Sequence, residues 1–195
     1  MKLTTKTCGA VILAGGNSRR MGTCKALLKI EGATMLERTA MQLADFEEVL
    51  LSANDPALGE GLAVHLVPDI WQDCGPLGGL QAALSATEKE ALFCVSCDLP
   101  QFTAEVPRLL LERMTPEADA IICRDSTGRL HPLCGIYRRR IVSVLEEQLS
   151  AGDRRMTALA GRLNCQILDT AGLLPDSAFW NMNTPESYLR WSAEG

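Results

Sequence analysis

The chain has 195 residues, 47% hydrophobic and 22% charged, with a formal net charge of −5. That length suffices for one domain with a sizeable core, and the composition is ordinary for a globular protein. The acidic balance gives no bulk electrostatic case for nucleic acid or an anionic membrane, and no apolar run approaches the roughly 20 residues that span a bilayer.

Residues 7–13 form a continuous apolar run, the pattern of a strand inside a parallel sheet. It leads through 11–25, VILAGGNSRRMGTCK, where Gly15 and Gly16 open a loop that carries Arg19 and Arg20 and closes on Lys25. A glycine turn after a strand lets backbone N–H groups approach an anion, and the cations that follow can neutralise it. The stretch therefore reads as a triphosphate loop. It is not a Walker A loop: five residues separate Gly16 from Gly22, and Thr23 follows where a lysine is needed. Nor do the glycines fit the dinucleotide fingerprint. Residues 26–30 are short and apolar, and Glu31-Gly32 turns the chain. Thr34 and Glu37 form a capping box on a helix whose apolar face is Leu36, Ala40, Leu43 and Ala44. Residues 47–52 and 62–67 are the second and third strands.

Residues 75–87 read as a helix in which Gly78 and Gly79 each cost about 1 kcal/mol relative to Ala, so something there needs close backbone approach. Residues 91–96 are the fourth strand, with Asp98 at its carboxyl end and Pro100 preventing simple continuation. Helix 105–114 turns Val106, Leu109, Leu110 and Met114 inward, 118–123 is a strand, and 130–137 reads as a strand broken by Pro132. Helix 139–149 carries Ile141, Leu145 and Leu149 on one face. A short helix follows Gly152, 165–168 is a strand, and Thr184 caps a last helix with Pro185 at its first position. The basic run Arg138, Arg139, Arg140 has little aromatic company and reads as a solvated face.

Alternating strands and helices imply an α/β fold: three layers, α/β/α, around a mostly parallel, Rossmann-like sheet. Ligands of such sheets bind at the carboxyl ends of the strands. Asn54, Asp69 and Asp98 all follow predicted strands, and each is also an ordinary turn residue type. Of the eight cysteines, Cys8, Cys74, Cys94, Cys97, Cys123 and Cys134 lie in or beside apolar runs and read as small buried hydrophobes. Cys94 and Cys97 have C-x-x-C spacing, but residues three apart on a strand face opposite ways, which disfavours chelation. The opening MKLTTKTCG precedes an apolar run too short for a signal peptide, so a cytoplasmic location is expected.

The segment LAGGNSRRMGTCK resembles the signature L-A-G-G-x-S-x-R-M-G-x-x-K of the MobA-like nucleotidyltransferases. GPLGGL at 75–80 and CDLP at 97–100 resemble the family's second glycine segment and its metal-binding aspartate motif. HPL at 131–133, GDRRM at 152–156 and NMNTPE at 181–186 are similar to later motifs of members that act on molybdopterin. The resemblance spans almost the whole chain. It implies the nucleotide-diphospho-sugar transferase type of fold, as one domain over 1–195 with a nucleotide part at about 1–100 and an acceptor part at about 101–195. It also implies transfer of GMP from GTP to the terminal phosphate of molybdopterin, or its molybdenum-loaded form, with release of pyrophosphate.

Such chemistry needs alignment and charge neutralisation more than covalent help. The resemblance selects Arg20, Lys25 and Asp98 as the catalytic set, with Asp98 holding Mg2+ or Mn2+. It assigns nucleotide contacts to Leu13, Ala14, Gly15, Gly16, Lys25, Asn54, Asp69, Gly78 and Asp98. Acceptor contacts fall to Arg19, His131, Arg154, Arg155, Asn181 and Asn183. Arg154 and Arg155 are plausible phosphate ligands or a solvated helix start, and Asn181 and Asn183 would face one way in an extended segment. Implied partners are GTP, molybdopterin, other cofactor-biosynthesis proteins and molybdoenzyme chaperones. Three alternatives stay open: CMP transfer to the same cofactor, transfer to a sugar phosphate, and a nucleotide-binding regulator without catalysis.

Overall fold

Alternation along each strand sorts the core into two halves. One face buries Ala10, Ile12, Leu51, Phe93 and Val95 under Leu36, Val106 and Leu110. The other buries Val11, Leu13, Leu50, Leu92 and Cys94 under Leu77, Leu80, Leu84, Leu145 and Leu159. Each fully buried leucine contributes about 1.5–3 kcal/mol of transfer free energy. Two-sided burial explains why the strands read as unbroken apolar runs.

The structure is a computed structural model that describes residues 2–14 and 25–182. The expectations for Gly15, Gly16, Arg19, Arg20, Asn183 and the helix from Thr184 lie outside the described residues. The strands are β1 (Cys8–Leu13), β2 (Lys29–Ile30), β3 (Ala33–Thr34), β4 (Val49–Ser52), β5 (His65–Val67), β6 (Ala91–Ser96), β7 (Ala120–Arg124), β8 (Leu130–Arg138) and β9 (Cys165–Asp169). The helices are α1 (Met35–Gln42), α2 (Gly75–Ala86), α3 (Glu105–Arg113), α4 (Val142–Ser150) and α5 (Met156–Arg162). Among the described residues the main sheet runs β5-β4-β1-β6-β8-β7-β9, and β2 pairs with β3 in a small hairpin. Strand β8 is antiparallel to both its neighbours, and the other pairs are parallel. Helices α1 and α3 cover one face and α2, α4 and α5 the other, which is the expected three-layer α/β/α architecture.

Local chemistry accounts for most boundaries. Thr34 caps α1, with its side chain accepting from Glu37 N while Glu37 accepts from Thr34 N. Glu31 (φ 51°) and Gly32 (φ 87°) form the two-residue turn between β2 and β3, where both central positions need positive φ. Helix α1 stops at Gln42, one residue before Leu43 caps it, so Ala44 leaves the apolar face and is exposed, against expectation. Strand β5 starts at His65 rather than 62, because the chain turns at Gly61 (φ 77°), and Leu62 and Val64 pack instead against the α1-side core. Pro132 does not break β8. The pairing of β8 with β7 jumps from Ile122↔Gly135 to Cys123↔His131, so Pro132 sits in a bulge where no N–H is required of it. The Tyr137 hydroxyl donates to the Pro132 carbonyl at 2.6 Å and fixes the bulge from inside.

The six cysteines expected inside are buried free thiols. Burial pushes Cys8, Cys94 and Cys123 up to about 12. Cys94 packs on the α2 side and Cys97 on the α1 side, the opposite-face geometry expected of residues three apart. No helix among the described residues is long and apolar enough to cross a membrane.

Candidate active site

The chain leaves β1 toward β4 and β5, then returns to the other side of β1 as β6. Reversal of direction at β1 puts a topological switch point at the carboxyl ends of β1 and β6, the place where doubly wound sheets take their ligands. Register aligns Val67, Ser52, Leu13 and Ser96 in one row along that edge. Asp69, Asn54, Ala14 and Asp98 follow this row by one or two residues. Strand β8 runs the other way, so its amino end arrives at the same edge. The pairing of β8 with β6 ends at Val95↔Cys134, and His131 lies three residues before Cys134 on that amino end.

Asp98 is fixed by several contacts. Ser96 Oγ donates to its Oδ1 at 2.6 Å, and Met182 N donates to its main-chain oxygen at 2.8 Å. Lys25 Nζ lies 3.9 Å from Oδ2, and the Asn181 amide reaches Oδ2 at 3.5 Å. The Asp98 side chain is 13% exposed and that of Lys25 is 23% exposed, so the pair is sheltered yet open to a ligand. Among the described residues no three His, Cys, Asp or Glu side chains gather to hold a metal ion. A single carboxylate still suits Mg2+, which keeps most of its shell for water and ligand phosphates.

The second cluster joins Asn54 and Asp69. Asn54 Oδ1 accepts from Asp69 N at 3.0 Å, Asn54 Nδ2 donates to Asp69 Oδ2 at 3.4 Å, and Ser52 Oγ donates to Asp69 Oδ1 at 3.3 Å. These contacts hold both side chains at the edge. Leu13 O already accepts from Cys97 N at 3.3 Å, and Ala14 N donates to Ser52 O at 3.1 Å. The described backbone at 13–14 thus extends the ladder, and Leu13 O keeps one lone pair.

The helix glycines have a reason inside the chain. A Cβ on Gly79 would overlap Ser52 Oγ and come within 3.1 Å of Leu13, and one on Gly78 would meet Cys74 Cβ and Trp71 O at 3.0 Å. The close approach foreseen at 78–79 is therefore made by strand ends and by the loop before α2.

Among the residues expected to contact the acceptor, His131 Nε2 lies 2.8 Å from Asp125 Oδ2, and its ring stacks on Phe179 with centroids 4.6 Å apart. Asp125 Oδ1 also accepts from Thr127 Oγ1, Thr127 N and Arg129 N. The Thr127 hydroxyl, then His131, hold the Asp125 carboxyl well below its ordinary range. An ionised carboxylate only accepts, so Nε2 carries the imidazole proton in this contact. Arg155 turns back on its own loop in a two-point pair with Asp153, whose carboxyl it pulls down to about 2. Arg154 donates to the Asp73 carbonyl at 2.8 Å and so ties the α5 entrance to the loop before α2.

Of the residues singled out from sequence, Lys25, Asp98 and Asn181 come together, as do Asn54 and Asp69. His131 is engaged by Asp125 and Phe179, and Arg155 by Asp153. Ser52, Ser96 and Asp125 went unrecognised. Asp125 directly follows β7, so the same rule that found Asp98 would have found it. The serines close their strands, where a polar residue ending an apolar run is the only signal.

A strand-end carboxylate and a lysine at the switch point of a doubly wound sheet fit an α/β protein that handles phosphorylated ligands. The family model described as MobA-like NTP transferase domain matches residues 10–166. The chain is 33% identical over 94% of its length, and 87% of the relative's, to a protein of Peptoclostridium acidaminophilum named "Probable molybdenum cofactor guanylyltransferase". It is 34% identical over 92% of its length, and 89% of the relative's, to a protein of that name from Pelotomaculum thermopropionicum. Among solved structures, molybdopterin-guanine dinucleotide biosynthesis protein A from Archaeoglobus fulgidus matches with TM-score 0.81 at 22% identity, over 95% and 97% of the two chains. A 2-C-methyl-D-erythritol 4-phosphate cytidylyltransferase from Thermus thermophilus shares the fold with TM-score 0.67 at 15% identity, over 95% and 97%. This chain belongs to the MobA-like NTP transferase family.

Proposed function

We propose that this protein is a magnesium-dependent guanylyltransferase that moves GMP from GTP to the terminal phosphate of molybdopterin, or its molybdenum-loaded form. The observation that carries the reading is the Asp98 carboxylate at the β1/β6 switch point, with Lys25 Nζ at 3.9 Å. The guanylyl assignment is supported by the names of the relatives at 33% and 34% identity. The nucleotide part is residues 1–100 and the acceptor part 101–195, joined through the β6/β8 pairing.

A phosphate oxygen of the acceptor attacks the α-phosphorus, a new P–O bond forms, and the α–β P–O bond breaks to release pyrophosphate. Asp98 holds the cation, Mg2+ or Mn2+, which supplies charge neutralisation to the triphosphate. Lys25 adds a point charge on the same phosphates. Asn54 offers a donor and an acceptor to base or ribose, and Asp69 accepts from guanine N–H groups or a ribose hydroxyl. Asn181 and His131 line the acceptor approach opposite the metal carboxylate. Arg20 from the glycine loop joins Lys25 on the leaving group. The test is a pyrophosphate-release assay with molybdopterin, Mg2+ and either GTP or CTP. Release with GTP that requires molybdopterin is expected. Release with CTP alone would move the protein to the cytidylyl activity and leave the site standing.

A further inference from the structure

Two carboxylates on the catalytic edge are each held by the last residue of a strand. Ser52 Oγ donates to Asp69 Oδ1 at 3.3 Å, and Ser96 Oγ donates to Asp98 Oδ1 at 2.6 Å. The second contact has the length of a charge-assisted O–H···O bond. Ser96 is itself held, because it is in register with Leu13 on β1 and directly follows Val95, which is paired on both sides. Its hydroxyl therefore approaches Asp98 from a fixed point.

The two oxygens of Asp98 sit in different surroundings. Oδ1 is occupied by Ser96. Oδ2 faces Lys25 Nζ at 3.9 Å and the Asn181 amide at 3.5 Å, both longer than a strong hydrogen bond. The main chain beneath is tied by Met182 N at 2.8 Å. Backbone and one oxygen are thus fixed, and the other oxygen is presented.

We propose that Ser96 is a positioning residue that holds Asp98 by Oδ1 and so turns Oδ2 toward the place of a divalent cation. This rests on the metal role of Asp98 proposed above. A free carboxylate can bind through one oxygen or two. A small cation of strict octahedral geometry suits one-oxygen binding, whereas Ca2+ accepts two oxygens from one carboxylate readily. Occupying Oδ1 with an O–H donor therefore orders the ligand and biases the site toward Mg2+ or Mn2+ over Ca2+. Hydrogen bonds that orient a metal ligand are worth about 10–100-fold in metal affinity.

The experiment is a Mn2+ titration of the whole protein, followed by the free Mn2+ electron paramagnetic resonance signal. Wild type is compared with Ser96→Ala, Ser96→Thr, Ser96→Cys and Asp98→Ala, and Ca2+ is then added as competitor. Ser96→Ala should weaken Mn2+ binding about tenfold or more and make Ca2+ the better competitor. Ser96→Thr keeps the hydroxyl and should stay within about threefold of wild type, well short of that loss. Ser96→Cys, a near-isosteric weak donor, should lie between them and serves if the alanine variant misfolds. Wild-type Mn2+ affinity in Ser96→Ala or Ser96→Cys, with Asp98→Ala binding none, would overturn the proposal and leave the metal reading intact. Wild-type affinity in Asp98→Ala would remove the metal reading itself. A Ser96 that only closed its strand would shift thermal stability and leave both affinities unmoved.

Discussion

The two stretches of the catalytic edge arrange their polar groups in opposite ways. At the ends of β4, β5 and β6, carboxylates and amides hold one another through Ser52, Asn54, Asp69, Ser96 and Asp98. These groups are already oriented, and Lys25 Nζ already stands 3.9 Å from the Asp98 carboxylate. At the ends of β7, β8 and β9, several basic side chains are already matched to carboxylates. Arg124 pairs with Asp169, His131 with Asp125, and Arg155 with Asp153. A bound anion there must exchange one of these pairs for its own contacts. On the proposed reading, the nucleotide side would be preorganised, and anion binding on the acceptor side would proceed by partner exchange. Exposed pairs such as Arg155–Asp153 are weak enough to be exchanged readily.

The largest expected break falls at Asp98. Asp98→Ala should lower pyrophosphate release about 1,000-fold while the melting temperature stays within a few degrees, the scale of losing one preorganised charged group. Near-normal turnover would dissolve the contrast, because the nucleotide side would then hold no metal. Lys25→Ala should cost about 100-fold in kcat/KM at saturating acceptor. Asp69→Ala should raise KM for GTP about tenfold, the loss of roughly 1.4 kcal/mol of binding, with KM for molybdopterin unchanged. An equal rise in both constants would mean that the two sides are not separable.

Two smaller effects concern the scaffold beneath each side. Gly79→Ala should destabilise the protein by about 1–3 kcal/mol through contact with Ser52 and Leu13, read from the urea midpoint at constant slope. On the acceptor side, the carboxyl of Asp125 is depressed in the folded protein. Its contribution to stability is fully present above the unfolded value near pH 4 and is lost as pH falls through the lower folded value. Asp125→Asn keeps an acceptor for the turn but cannot titrate. Its urea midpoint should therefore change less than that of wild type between about pH 5 and pH 2. Parallel curves would show that Asp125 is not coupled to folding.

Legibility in the sequence follows the same division. The strands were readable because β1, β4 and β6 are buried on both faces and hold no polar residue before their ends. The strand-end positions of Asp98 and Asn54 were readable because each follows such a run by two residues, although spacing alone left an ordinary turn role equally open. The hidden parts depend on tertiary contacts. Ser96 matters through a carboxylate two residues on, and Gly79 through Ser52, which lies far away in sequence. Pro132 looked like a break because a bulge is set by the partner strand, and the pairing register is invisible in a single chain. Arg155 looked free because nothing in GDRRM shows that Asp153 will fold back onto it.

Product identity under competition tests the account most directly. Purified protein would be incubated with molybdopterin, Mg2+ and equal concentrations of GTP and CTP, and the acceptor then weighed by mass spectrometry. The account predicts a gain of one GMP, absent with Asp98→Ala. A gain of CMP, or an unmodified acceptor in the presence of active GTP, would contradict it.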